Sequence, residues 1–152
     1  MERFRSVDEI LNFAIAREEE SVEFYTDLAK KMTSSAMSKT FAQFANEERG
    51  HKSKLEGIKA GREGMPAPKK IADLKIGDYL VKPDTDPATM TYQNALILAM
   101  KKEKAAFKLY NDLATLAENA ALRDTFLALA QEEAKHKLRF EVEYDEQILT
   151  DN

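Results

Sequence analysis

Two Glu-x-x-His pairs carry the chemistry that this chain can offer. Glu48 and His51 close the stretch Phe44-Ala45-Asn46-Glu47-Glu48-Arg49-Gly50-His51, and Glu133 and His136 close Leu129-Ala130-Gln131-Glu132-Glu133-Ala134-Lys135-His136. These are the only two histidines, and one offset relates the pairs, since 133 − 48 and 136 − 51 both give 85. Glu18 and Glu103 obey the same offset. Helical residues three or four apart share a face, so each pair presents a carboxylate and an imidazole to one point. A lone Glu-x-x-His is a weak signal and usually marks a solvated face. Two such pairs with two further glutamates, spread over four helices, form the donor set of a dinuclear metal site. Four buried, unpaired carboxylates would repel one another at a cost of several kcal/mol each. Protonation could relieve that, but two divalent cations balance the four charges and use both imidazoles. Mixed carboxylate and imidazole donors suit iron or manganese and also admit zinc.

Such a site requires helices that turn these residues inward at one level. Ser6-Val7-Asp8-Glu9 reads as a capping box, followed by an apolar stripe at Leu11, Ala14, Ile15, Val22, Tyr25, Leu28, Ala29 and Met32. After Ser34-Ser35 a second stripe runs Met37, Phe41, Phe44, Leu55 and Ile58, and Glu48 and His51 fall in its gap. The third stripe is Leu96, Ala99, Met100, Phe107, Tyr110, Leu113 and Ala114, with Glu118-Asn119 at the turn. The fourth is Leu122, Phe126, Leu129 and Phe140, with Glu133 and His136 in its gap. Residues 10–58 laid on 95–143 are identical at about a third of positions, which indicates an internal duplication. All four acids continue the apolar stripes and are expected to face the core. Heights agree as well: from a turn near residue 34, Glu18 stands 16 residues back, and Glu48 and His51 stand 14 and 17 ahead. Antiparallel packing brings the three to one level, and the second hairpin repeats the arrangement. Tyr25 and Tyr110 are core aromatics whose hydroxyls are candidates to hold a ligand carboxylate, because a buried phenol seeks a partner. Glu19, Glu20, Glu23, Glu47 and Glu132 read as surface acids.

The expected fold is all-α: an antiparallel four-helix bundle with a long crossover between helices 2 and 3. Its hairpins span about 7–60 and 91–149, within one domain over residues 1–152. The crossover, about 61–90, is broken by Gly61, Gly64, Pro66, Pro68, Gly77, Pro83 and Pro87. Ile71, Leu74, Tyr79 and Leu80 could pack there as a short helical piece. Its reach exceeds the roughly 35–40 Å length of a 25-residue helix.

Composition narrows the function. A net charge of −4 and the lack of a basic cluster argue against nucleic-acid binding. The longest apolar run, Ala95 to Met100, is too short to span a membrane. The N-terminal residues lack the apolar stretch of a secretory signal, so a cytoplasmic location is expected. With no cysteine there is no disulfide, thiolate nucleophile or iron–sulfur centre, and electrons for any redox chemistry must come from elsewhere.

In this combination the motifs resemble the ferritin-like superfamily, specifically rubrerythrins without their rubredoxin domain, from about residue 7 to 148. The resemblance implies that Glu48 and Glu133 bridge two iron ions, with Glu18 and His51 completing one site and Glu103 and His136 the other. It implies an oxidoreductase acting on hydrogen peroxide or dioxygen, with an external electron donor such as a rubredoxin. A homodimer is also implied, and in some relatives two chains exchange hairpins. Many members carry a seventh ligand three residues after the glutamate of the third helix. Here that position is Ala106 and its duplicate is Ser21. The alternatives are a ferroxidase or iron-storage protein and, behind it, a metal-free helical interaction module.

Overall fold

Ser6 starts the first helix in the computed structural model of the chain: its backbone is extended and its Oγ accepts the Glu9 N–H at 3.0 Å. The structure describes residues 2–61, 64–66, 68–83, 86 and 89–151, and the side chains of all of these except 68, 69 and 148–151. Among the described residues there are four long helices: α1 (Val7–Lys31), α2 (Ser35–Gly61), α3 (Tyr92–Leu116) and α4 (Ala120–Asp151). Asp8 and Glu9 in the first turn of α1, and Lys30 and Lys31 in its last, both oppose the helix dipole favourably. Contacts group the described chain into two compact units. One is Phe4–Asp73, and the other begins at Leu74 and includes Glu2 and Arg3.

The first unit is a helical hairpin. Ile10, Leu11, Ala14, Glu18, Ser21, Tyr25 and Leu28 are buried on α1, at the three- and four-residue steps of one face. Met37, Phe41, Phe44, Ala45, Glu48, His51 and Leu55 are the buried set on α2. Ile15, Val22, Ala29, Met32 and Ile58 were expected within these stripes but are only half-buried, flanking them. The turn is closed by serines: Ser34 Oγ accepts the Met37 N–H at 3.3 Å, and the Ser38 hydroxyl donates to the Ala29 carbonyl at 2.8 Å. From there each step back along α1 matches a step forward along α2. Tyr25 stacks on Phe41 and meets Phe44 edge-on, Glu18 meets His51, and Lys59 donates to Asn12 Oδ1 at 2.7 Å. Phe4 caps this core, edge-on to Phe13 at 5.3 Å.

The second unit repeats the plan. Thr91 Oγ1 accepts the Asn94 N–H at 3.1 Å to open α3, and Asn119 Oδ1 accepts the Leu122 N–H at 2.8 Å to open α4. Leu96, Ala99, Glu103, Tyr110 and Leu113 are buried on α3, and Leu122, Phe126, Leu129, Glu133, His136 and Phe140 on α4. Phe107 departs from expectation, being 37% exposed. Four helical steps turn it about 40° from Glu103, while the buried arc extends the other way to Leu98 and Leu109. Met100, on the same edge, is half-buried.

Between the hairpins the chain forms one helical turn at Pro68–Ile71 and a 3₁₀ turn at Ile76–Tyr79. Gly64 takes a left-handed φ of 71°, where a side chain would be strained. Ile71 and Tyr79 are buried as expected, whereas Leu74 is half-buried and Leu80 is 48% exposed. The expected breaker Pro87 lies outside the described residues. Tyr79 fastens the 3₁₀ turn to α3, its hydroxyl donating to Asp112 Oδ2 at 2.7 Å. Lys75 pairs with Arg3 in an isolated antiparallel bridge, and the Ile76 N–H donates to the Glu2 carbonyl at 3.0 Å.

Candidate metal centre

Each hairpin carries one triad of a glutamate from its first helix and a Glu-x-x-His pair from its second. In the first unit, His51 Nδ1 lies 3.2 Å from Glu48 Oε1 and 3.6 Å from Glu18 Oε2. One donor atom from each of the three lies within 4.8 Å of the others. In the second unit, His136 Nδ1 lies 3.6 Å from Glu103 Oε1, and Glu133 joins them within the same 4.8 Å limit. All six residues are at most 4% exposed. The helical spacing explains the convergence, since Glu48 and His51 project from one face of α2, and the hairpin register sets Glu18 opposite.

Charge at the first triad is distributed unusually. Burial alone would push the His51 imidazole toward its neutral form, but Glu18 and Glu48 outweigh it through hydrogen bonds and charge. Together they hold the imidazole pKa up at about 11. Without a metal, therefore, a proton on His51 offsets part of the buried negative charge. A cation would replace that proton and use the same atoms. Three oxygen or nitrogen donors converging from a rigid hairpin fit a divalent first-row metal, and the lack of sulfur donors fits iron, manganese or zinc rather than a soft ion.

Tyr25 and Tyr110 are both buried, two helical turns beyond Glu18 and Glu103. The seven-residue spacing puts each tyrosine on the same buried helix face as its glutamate. Ser21 is buried one turn after Glu18, and its counterpart Ala106 is half-buried. Among the expected surface acids, Glu19, Glu20, Glu23 and Glu132 are exposed and Glu47 is half-buried.

A buried carboxylate outside the repeat was missed by sequence reasoning. Glu143 accepts the Tyr92 hydroxyl at 2.9 Å and Gln147 Nε2 at 3.4 Å, with Arg139 Nη1 at 3.6 Å. Burial and this carboxylate hold the Tyr92 phenol well above its ordinary range. At the 85-residue offset Glu143 matches Ile58, so no repeat marks it out.

The fold and the two buried triads define a helical metal-carboxylate protein. Two solved structures share the fold. One is a candidate ferritin-like diiron-carboxylate protein from Thermotoga maritima, 22% identical, with a TM-score of 0.76 over 97% of this chain and 99% of that one. The other is a hypothetical protein from Pyrococcus furiosus, 23% identical, with a TM-score of 0.70 over 92% of this chain and 89% of that one. These likenesses establish an all-helical, ferritin-like four-helix bundle with a long loop between α2 and α3. No curated protein matches significantly. The rubrerythrin family profile matches residues 9–144, and the chain belongs to the rubrerythrin family. Among the described residues no helix is long and apolar enough to cross a membrane.

Proposed function

We propose that this protein is a di-iron carboxylate oxidoreductase that reduces hydrogen peroxide or dioxygen with electrons from an external donor. The observation that carries the proposal is the repeated buried triad, Glu18, Glu48 and His51 in one hairpin and Glu103, Glu133 and His136 in the other. In this reading the triads would hold iron, with Glu18, Glu48 and His51 as the donors of one hairpin and Glu103, Glu133 and His136 as those of the other. Bound iron would supply the redox equivalents and the Lewis acidity needed to reduce an O–O bond. Family membership and the likeness to a candidate diiron-carboxylate protein support the same assignment.

The chain's own residues have definite tasks. Glu18 and Glu103 each provide a carboxylate to one metal, and His51 and His136 each provide an imidazole. Two monocations would leave the four carboxylates half-balanced, whereas two dications neutralise them. The buried apolar surroundings of Phe41, Phe44 and Leu129 keep bulk water from competing for the donors. Tyr25 and Tyr110 would steady ligand carboxylates from the far side.

The experiment is anaerobic loading with ferrous iron, metal quantification, and stopped-flow mixing with peroxide or dioxygen. Two irons per chain and oxidation much faster than for free ferrous ion are expected. Oxidation no faster than the free ion would end the redox reading. Ala106, where many relatives carry a seventh ligand, favours a second reading as a ferroxidase that oxidises iron and passes it on. Release of the ferric product during turnover, rather than its re-reduction in place, would select that reading.

A further inference from the structure

We propose that the outer face of α3 is a docking surface for an acidic electron-carrier protein. The proposal rests on the redox reading above, which requires an external donor. The surface is an open groove of about 520 Å³ between α3 and the segment after the 3₁₀ turn. Lys82, Lys101, Lys104 and Lys108 line it, around the exposed side chains of Leu80 and Phe107. Two acids, Asp78 and Asp112, share the lining. Asp112 is already engaged, by Lys108 at 2.9 Å and by the Tyr79 hydroxyl at 2.7 Å. A cationic face thus stands on a chain whose net charge is −4.

The internal repeat shows that the fold does not demand this charge. At the 85-residue offset, Lys101, Lys104, Phe107 and Lys108 correspond to Ala16, Glu19, Val22 and Glu23 on α1. The two halves keep their metal-ligand residues and differ in sign on the outer face. The metal ligands tie down one side of each helix, and the rest of α3, from Phe107 at the edge of that side round to Lys101, has become basic.

Position fits the role. Phe107 follows Glu103 by one helical turn, a rise of about 6 Å, so a carrier seated on Phe107 lies close to a ligand of the metal. An apolar aromatic centre with a charged rim is the usual anatomy of a protein interface. Electron-transfer encounters are small and steered by charge, which suits a groove of this size. Lysines on this side select an acidic partner.

The test is an amide-shift titration of isotope-labelled, full-length protein with a zinc-substituted rubredoxin of net negative charge. Shifts are expected to concentrate at Leu80, Lys82, Lys104, Phe107 and Asn111. Binding is expected to weaken at least about tenfold as salt rises from about 0.02 to 0.3 M. A Lys82→Glu/Lys104→Glu variant should lose the shifts. In a second arm, reduced rubredoxin should reduce the iron-loaded variant about 10–100-fold more slowly than wild type at low salt, while dithionite reduces both alike. Shifts centred elsewhere, or wild-type binding indifferent to salt, would overturn the docking face without recourse to any variant. Self-association through the Glu19 and Glu23 face, abolished by the same variant with no carrier binding, would give the groove to a second copy and also overturn it. Shifts that persist although dithionite cannot reduce the loaded protein would support the docking face and count against the redox reading.

Discussion

Replacing Glu103 by leucine should strengthen the metal-free protein and abolish its response to metal. Glu103 is 1% exposed and lies 3.6 Å from His136 Nδ1. Holding an ionised carboxylate there costs several kcal/mol in desolvation, only partly returned by the imidazole. Leucine has similar bulk and gains about 1.5–3 kcal/mol on burial. His136 can shed a proton, so the substitution strands no charge. Replacing a complete buried ion pair by apolar residues is often neutral or stabilising by about 1–4 kcal/mol, and the upper, stabilising range applies here because Glu133 stays to balance His136. For a chain of this length that raises Tm by about 2–4 °C per kcal/mol, or roughly 2–16 °C in total. Metal reverses the order. At a free concentration of 100 Kd, binding adds about 2.7 kcal/mol to wild type, and the variant, missing one ligand, should gain little. The assay is thermal unfolding by circular dichroism under anaerobic conditions, with and without ferrous or manganous ion. A metal-free Glu103→Leu protein less stable than wild type would refute the argument that function imposes this buried charge. A wild-type Tm unmoved by metal would refute the site itself.

Three further outcomes are expected. Metal must displace the His51 proton, so binding should release protons at pH 7, and affinity should rise with pH below about 11. Calorimetry in buffers of different ionisation heat would detect this, and zero release would contradict the triad geometry. The sign for the metal-free protein is opposite. Because the folded pKa is raised, the His51 contribution to stability is full below the ordinary value near 6.5 and is lost as pH climbs through about 11. Gly50→Ala should stabilise by about 0.5–1 kcal/mol, because the residue is helical and exposed and an added Cβ meets open space. A lower Tm would show that the turn between Glu48 and His51 needs glycine. Tyr92→Phe should cost about 1–3 kcal/mol in denaturant unfolding by removing a donor from buried Glu143. The raised Tyr92 phenol makes this contribution full below about pH 10 and lost above it, so the variant and wild type should converge in strong alkali.

The sequence was most legible where periodicity and repetition coincide. Glu18 and Glu103 stood out because charge interrupts an otherwise apolar face, and the shared offset turned two weak Glu-x-x-His motifs into one pattern. Helix starts were legible at Ser6, where a side-chain oxygen caps a run of apolar steps. Phe107 was placed wrongly because a three-or-four spacing tolerates an error of about 40° per turn, enough to carry a residue from the core edge to solvent. The Tyr79–Asp112 and Tyr92–Glu143 bonds join residues 33 and 51 apart and have no periodic signature. Nothing local to Glu143 distinguishes it from an exposed helix acid until Tyr92 is seen against it.

What the two halves preserve and what they lose separates function from fold. Packing would accept many apolar residues at positions 18 and 103, and more favourably than glutamate. That both halves keep glutamate there, together with the paired glutamate and histidine, means that a requirement other than stability holds them. A metal demands that set, because each ligand removed leaves its buried partners without their cation. The outer faces carry no such demand, and there Glu19 and Glu23 stand against Lys104 and Lys108. Duplication alone would yield two equivalent faces, while a partner that approaches from one side needs only one to be basic. If the lysines served solubility alone, reversing them would leave carrier binding untouched. If they steer a partner, reversing two of them should reduce its association rate by about one to two orders of magnitude at low salt.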